Sequence, residues 1–243
     1  MSIVSVDLAY RQYKDIGLCV LNSAGISIGV KFLPFPGGDD IPEPERAVDS
    51  CIDICMEHDA QLLLLDGPQA WKHPDHGTHF ARSCEQALRT PAKTGLPGSV
   101  TPRTYSRFVE FAIAVFDVLD QRGWPRLSVG KPPHGGRPLA VETFPNAAWR
   151  TLGISPLPAK SKARPADVTN ALAQLREMFN LNVVGSPTHD DLQALVSGLA
   201  GVALERGDTT AYHLAGHPPI KHEGIWREGF IITPLPSPLF SHS

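Results

Sequence analysis

Four carboxylates occupy positions in the sequence where acidic side chains can meet and do chemistry. Asp7, Asp66 and Glu142 lie at the ends of short apolar runs, IVSVD, LLLLD and PLAVE, and Asp190 opens the amphipathic segment HDDLQALVSGLA. An acid at the carboxyl end of a buried strand points into the crevice where open α/β sheets bind ligands. Carboxylates that share one crevice need cations to stay ionised, and Mg²⁺ and Mn²⁺ prefer oxygen ligands. The spacing therefore predicts a divalent-cation site.

Three of these acids also have a purely structural interpretation. Asp7 ends a strand, and Asp66 precedes Gly67-Pro68, a context in which Asp often begins a turn. Glu142 lies among apolar residues, where a buried acid needs a partner such as a nearby arginine. We favour the cation site because the acids follow strands that would end at one edge.

Asp190 and Asp191 compete for the fourth position in this site. The helix-start pattern Ser/Thr-x-x-acid fits Thr188 to Asp191, so Asp191 is a candidate cap. Helical spacing, in contrast, places Asp191 nearer to an apolar stripe. That stripe is formed by Leu192, Leu195, Val196 and Leu199. Both acids remain candidate metal ligands at this point.

The apolar pattern predicts the α/β framework that would position these acids. Strands are predicted over 2–8, 15–22, 26–33, 61–66 and 137–144. Helices are predicted over 42–58, 79–89, 104–121, 145–152, 165–180 and 189–205. The order β-β-β-α-β-α-β-α is that of an RNase H-like fold. We expect a mixed five-stranded sheet, with three antiparallel strands and then parallel strands, flanked by helices.

The domain boundaries follow from this order. We expect a single domain over 1–243, with a helical and loop insertion over about 67–137, between the fourth and fifth strands. The loop within it covers 122–137, which is rich in Gly, Pro and basic residues. The remainder, about 206–243, is expected to be a C-terminal tail, in which 229–234 is either one more strand or extended.

Composition and charge favour a soluble globular protein with a phosphate-bearing partner. The 243 residues carry a net charge of −3, but the span from Lys72 to Arg164 holds fourteen Lys or Arg against six Asp or Glu. Such a basic stretch suits nucleic acid or another phosphate-bearing substrate, although it is also typical of a solvated loop. The sequence has no apolar run long enough to span a membrane, and we expect no signal peptide because its first residues lack a basic segment followed by an apolar one. We expect a cytoplasmic protein with four free cysteines.

Five short motifs carry a resemblance to a known family. They are VDLA (6–9), LLLDGP (63–68), RSCEQALR (82–89), VETFPNAAWRTLG (141–153) and HDDLQAL (189–195). In this order they resemble an uncharacterised family of predicted RNase H-like nucleases, related to the RuvC and YqgF group. The resemblance implies that Asp7, Asp66, Glu142 and Asp190 form the catalytic site, and it favours Asp190 over Asp191. RuvC-like helices often carry a second acid three residues later, where this chain has Gln193.

Basic and acidic residues outside the carboxylate set are candidates for binding substrate. Arg82, Glu85 and Arg89 have the spacing of one helix face and would contact phosphate or a leaving group. The alternative is an exposed ion-pair ladder of little energetic value. Lys160 and Lys162, in PAKSKAR, resemble the basic segment that follows the fifth strand in the family and would contact phosphate.

A histidine-rich segment offers a different metal chemistry. His73, His76 and His79 are spaced three apart and could bind zinc if they lay on one helix face. Pro74 and Gly77 oppose a regular helix there, so we favour a loop that contacts substrate or is simply exposed.

The resemblance implies a two-metal nuclease. Two Mg²⁺ or Mn²⁺ ions would activate a water and stabilise the leaving oxygen of a phosphodiester. The alternatives are a nucleic-acid-binding protein of the same fold without turnover, a small-phosphoester hydrolase and a phosphotransferase. The phosphotransferase is disfavoured because Asp7 is followed by Leu-Ala-Tyr and not by a glycine-rich phosphate-binding turn. The sequence does not choose between DNA and RNA, nor does it predict an oligomeric state.

Overall fold

The computed structural model describes residues 2–76, 78–128 and 137–236. Eight strands in this part of the chain form one sheet. They are β1 (Ser2–Asp7), β2 (Gly17–Ala24), β3 (Ser27–Phe32), β4 (Ala60–Asp66), β5 (Leu139–Thr143), β6 (Leu181–Val184), β7 (Tyr212–His222) and β8 (Ile225–Pro234). The first five correspond to the strands predicted from short apolar runs.

Six α-helices connect and flank the strands in the described residues. They are α1 (Pro44–Glu57), α2 (Ser83–Leu88), α3 (Ser106–Gln121), α4 (Pro145–Thr151), α5 (Pro165–Phe179) and α6 (His189–Arg206). Prolines at the first turns of α1, α4 and α5 suit positions whose N–H has no helical partner. Only α2 is much shorter than predicted, because the chain before Ser83 does not enter the helix.

The strand order confirms the predicted fold class. The sheet runs β6-β3-β2-β1-β4-β5-β8-β7. Strands β1, β2 and β3 are antiparallel neighbours, while β4 is parallel to β1 and β5 is parallel to β4. This central set is the mixed five-stranded sheet expected for an RNase H-like arrangement.

The strand count is larger than the predicted five. Strand β6 extends one edge parallel to β3, and the hairpin of β7 and β8 extends the other edge beyond β5. The hairpin covers most of the segment expected to be a tail, and β8 includes the predicted strand 229–234. Strand β7 contains Gly216, Pro218 and Pro219, which obscure the alternation that predicts a strand.

Helices cover both faces of the central sheet. One apolar core lies between the sheet and α4, α5 and α6, and a second lies between the opposite face and α1 and α3. All four cysteines are buried and free. None of the helices in the described ranges is both long and apolar enough to cross a membrane. Residues 129–136, most of the predicted loop before β5, lie outside the described residues.

Glycines allow α6 to lie directly on the sheet. A Cβ atom at Gly17 would overlap the backbone carbonyl of Asp190, and one at Gly198 or Gly201 would overlap leucine side chains of the sheet. The Ser5 hydroxyl also donates a hydrogen bond to the Ala194 carbonyl, at 2.7 Å. These contacts hold α6 closely against β1, β2 and β4.

Candidate active site at the ends of the central strands

Asp7 and Asp66 form a carboxylate pair at the ends of β1 and β4. The two residues are partners in the parallel register, so both side chains emerge on the same face of the sheet. Burial raises the pKa of Asp66 to about 7, and it raises the pKa of Asp7 well above its usual range. A hydrogen bond between the side chains raises the pKa of Asp7 and lowers that of Asp66, as expected for one shared proton.

Asp190 approaches this pair from the first turn of α6 and has basic partners. Its carboxylate accepts hydrogen bonds from Lys160 Nζ at 2.5 Å and interacts with His189 Nδ1 at 2.9 Å. Burial alone would raise the pKa of Asp190, but the hydrogen bonds with His189 and Lys160 outweigh it and lower the pKa. Lys160 also donates to Asp15, at 2.8 Å. Lys160 therefore holds Asp190 in its ionised form.

The three acids line one open cavity of about 620 Å³. Lys160, Asp15 and Arg11 add further charge to its lining, and Tyr10, Tyr105 and Phe108 add aromatic surface. Asp190 is also close enough to Asp7 to raise its pKa, whereas Lys160 lowers it. The structure thus brings together three of the four predicted carboxylates, and it places the predicted Lys160 beside them.

Glu142 lies one residue too early in β5 to join these acids. Thr143, and not Glu142, is the register partner of Asp66, while Glu142 is paired with Leu65. Because side chains alternate along a strand, Glu142 leaves the sheet on the opposite face from Asp66. There it accepts two hydrogen bonds from Arg82, at 2.7 and 2.5 Å, and one from the Gln69 N–H, at 2.9 Å. Glu142 therefore forms a buried salt bridge with Arg82, the structural alternative stated for it above.

Arg82 and Glu85 are buried in the same network instead of facing solvent. Their exposed fractions are 1% and 3%, and the Arg82 guanidinium is bonded to Glu85 and Glu142, which opposes the predicted contact with phosphate. Arg82 Nε donates to Glu85 at 3.1 Å, and Glu85 also accepts from the Thr94 N–H at 3.0 Å. Arg89 is exposed, but it ends α2 with a left-handed backbone and so does not share a helix face with the other two.

The other predicted site residues lie outside the carboxylate cavity. Asp191 caps α6, as the sequence pattern allowed: it accepts hydrogen bonds from the Thr188 N–H at 2.9 Å and the Leu18 N–H at 3.2 Å. Gln193 accepts a hydrogen bond from Trp149 Nε1 at 2.7 Å. Lys162 is exposed and does not line the cavity. Asp190 is therefore the acid that α6 contributes.

The histidine-rich segment joins the β7–β8 hairpin. His73 lies against His76 and His222, with ring centroids 4.7 and 4.8 Å apart, and His76 lies against His217 at 5.2 Å. Buried Glu228 is 3.0 Å from His76 Nδ1. His79 packs against Phe80 instead. Within the described residues no group of three or more His, Cys, Asp or Glu is arranged to hold a metal ion.

The donors at the carboxylate pair nevertheless suit one divalent cation better than two. Asp7 and Asp66 are hard oxygen donors whose pKa values are raised first by burial and then by neighbouring acids. Asp190 would complete the set once Lys160 gave up its hydrogen bond. A second ion held by Glu142 would require Glu142 to leave Arg82, which breaks a buried ion pair.

Comparisons with known proteins gave a match among solved structures. No protein-family model and no curated protein sequence matches the chain. Among solved structures, RuvC from Thermus thermophilus is similar, with a TM-score of 0.42 and 12% sequence identity. The match covers 85% of this chain and 97% of that chain.

Several residues in or beside the cavity were not predicted from the sequence. Asp15 accepts a hydrogen bond from Lys160, which is 145 residues away in the sequence. His189 interacts with the adjacent Asp190. Tyr10 and Arg11 lie three and four residues after Asp7, and a search for side chains shortly beyond strand-end acids would have found them. Thr143 becomes informative only when the register of β4 and β5 is known.

Proposed function

We propose that the protein is a divalent-cation-dependent phosphodiesterase that acts on nucleic acid. The observation that carries this proposal is the Asp7–Asp66 pair, whose carboxylates are adjacent and whose largest pKa influences are burial and other acids. A stable protein gains nothing from two such acids in contact unless a cation or a proton lies between them. Their place at the carboxyl ends of parallel strands is where open α/β sheets bind ligands.

The roles of the residues follow from their surroundings. Asp7 and Asp66 would hold Mg²⁺ or Mn²⁺, and Asp190 would join them as a third ligand. When bound, the cation would supply positive charge for the phosphate and lower the pKa of a coordinated water. Lys160, released from Asp190, would be free to contact a phosphate oxygen. A second ion would require Glu142 to leave Arg82 and turn its carboxylate towards the cavity.

Nucleic acid is the proposed substrate because charge and aromatic surface coincide at the cavity. Arg11 and Lys160 offer cations for phosphate, and Tyr10, Tyr105 and Phe108 offer faces on which bases stack. The five sequence motifs support membership in the family of predicted RNase H-like nucleases. The strand order agrees with that proposal.

The test is cleavage of labelled single-stranded, double-stranded, hybrid and junction substrates with Mg²⁺ or Mn²⁺. We expect cleavage that EDTA stops, and a loss of at least about 1,000-fold in Asp7→Asn, since the cation contributes several kcal/mol to the barrier. Asp191→Asn, a change in the neighbouring cap, is the matched control and should retain most of the activity. A folded protein that cleaves none of the substrates contradicts the proposal.

A binding protein without turnover is the second candidate, and one observation favours it. Glu142 is bonded to Arg82, which leaves three acids where four were expected. Gln193, at the position where RuvC-like helices often carry a further acid, is bonded to Trp149. This candidate predicts nucleic-acid binding that survives Asp7→Asn, with no cleavage in any metal. Binding measured by fluorescence anisotropy, alongside the cleavage assay, separates the two.

A further inference from the structure

A second cavity opens next to the carboxylate cavity. It has a volume of about 130 Å³ and shares Asp66, Tyr105 and Phe108 with the larger one. Phe144, Val109 and several other apolar side chains complete its walls. Because three residues line both cavities, the two cavities are adjacent.

The size of the smaller cavity matches a single aromatic ring. An engineered protein cavity of about 150 Å³ with apolar walls takes up benzene. The volume of about 130 Å³ is therefore suited to one six-membered ring and is small for a fused pair. Phe108 and Tyr105 supply the aromatic faces against which such a ring stacks.

The polar part of the lining selects against an anion. Arg82 is the one guanidinium among the lining residues, and it is already bonded to two carboxylates, Glu85 and Glu142. Phosphate would be repelled by this excess of negative charge. A neutral ring with a polar edge meets no such penalty.

One polar side chain at the cavity lacks a partner. Thr143 lines it with an exposed fraction of 1%, and its Oγ1 has no hydrogen-bond partner among the described residues. A buried hydroxyl without a partner costs free energy. A ligand with a donor or acceptor on its ring edge would satisfy it.

We infer that the smaller cavity is a nucleobase pocket. It takes the base of the nucleotide whose phosphate lies at Asp7 and Asp66, and its size selects a pyrimidine. This inference rests on the proposed phosphodiesterase function. A base stacked and paired in a duplex cannot enter such a pocket, so the substrate class is a strand with an unpaired nucleotide.

The test compares two chromogenic phosphodiesters that differ only in the presence of a nucleoside. Thymidine 5′-(4-nitrophenyl phosphate) should have a kcat/KM at least about 10-fold higher than methyl 4-nitrophenyl phosphate, which is what stacking of one base provides. Ala92→Leu, which extends a lining side chain into the pocket, should remove that preference and leave the methyl ester unaffected. Thr143→Val, which keeps the shape, should reduce the preference severalfold.

The outcomes separate the pocket from the function. Equal hydrolysis of both esters by the wild-type protein overturns the pocket and keeps the phosphodiesterase. If neither ester is hydrolysed, the proposed function fails for these substrates, and the pocket is judged by calorimetry with Mg²⁺. Thymidine 5′-monophosphate should then bind about 10-fold more tightly than 2-deoxyribose 5-phosphate, with the difference lost in Ala92→Leu. Equal binding of the two overturns the pocket.

Discussion

Two groups of acidic side chains lie at the same edge of the sheet and have opposite surroundings. Glu142 and Glu85 share one buried guanidinium, that of Arg82, and accept further backbone N–H groups. Asp7 and Asp66 line an open cavity, and their pKa values are raised first by burial and then by neighbouring acids: Asp66 and Asp190 act on Asp7, and Glu142 acts on Asp66. The first arrangement satisfies every acid within the protein, while the second leaves charge that a ligand must compensate. The difference separates a structural network from a candidate active site.

Removal of the Arg82 guanidinium tests the structural role of the first group most directly. Arg82→Met leaves Glu142 and Glu85 buried without their cation, so we expect the free energy of unfolding to fall by about 3–5 kcal/mol. Urea denaturation followed by circular dichroism measures it. Arg82→Met combined with Glu142→Gln should lose less than the single variant, because one unpaired charge is removed. A cost below about 1 kcal/mol for Arg82→Met would contradict the structural assignment.

The pH dependence of stability should identify the uncompensated pair. The pKa of Asp66 in the folded protein is about 7, above an ordinary value near 4, so the folded state keeps a proton that the unfolded chain has lost. The contribution of this proton to the free energy of unfolding is therefore fully present below pH about 4 and is lost as pH rises to about 7. In EDTA we expect a fall of up to about 4 kcal/mol, since the pKa is raised from about 4 to about 7, and the fall should be clearly reduced in Asp66→Asn.

Asp39→Asn, a change at an exposed ion pair, is the control for this pH profile and should follow the wild-type curve. The measurement is urea denaturation at a series of pH values. A wild-type curve that falls no more between pH 4 and 7 than that of Asp66→Asn would argue against a shared proton in the pair.

Divalent cations should stabilise one group of acids and not the other. At pH 8 and a Mg²⁺ concentration ten times its Kd, we expect a gain of about 1.4 kcal/mol in the free energy of unfolding. Asp7→Asn should lose this gain, whereas Glu142→Gln should keep it although its overall stability is lower. Differential scanning fluorimetry with and without Mg²⁺ gives the comparison. If Glu142→Gln alone loses the gain, the cation binds at Glu142 and Glu85 and not at Asp7 and Asp66.

The smallest expected effect concerns Lys160, which compensates Asp190 when no cation is bound. Lys160→Ala frees Asp190 as a ligand, so Mn²⁺ should bind about 3- to 5-fold more tightly, the range expected for a partly exposed ion pair. Lys162→Ala, in the same loop, is the matched control and should leave the Mn²⁺ Kd unchanged. Weaker Mn²⁺ binding in Lys160→Ala would show that the lysine supports the site.

The sequence predicted the central framework well because local patterns determine it. Buried strands such as LLLLD and the capping pattern from Thr188 to Asp191 are readable within a few residues. The edge strands were harder: β6 has four residues, and β7 is interrupted by prolines. Neither has the alternation on which a strand prediction depends.

The prediction of the site was incomplete. The position of a residue along a strand does not give the register between neighbouring strands. Asp66 and Glu142 both end apolar runs, yet β4 and β5 are aligned so that Asp66 is opposite Thr143. A shift of one residue sends a side chain to the other face of the sheet. The pairing of Arg82 with Glu142 spans sixty residues and depends on the folded path of the insertion. The sequence offered a salt bridge as an alternative but could not choose it.

Gly17 has a consequence for how this site can be altered. The backbone of Asp190 rests against Gly17, at the point where a side chain would collide with it. The distance between α6 and the ends of β1 and β2 is thus set by main chain against main chain. A change of side chain at position 190, for example Asp190→His or Asp190→Glu, should therefore alter the donor set of the proposed cation site without displacing the scaffold. The cavity is a suitable starting point for redesigning which ion the proposed site would accept.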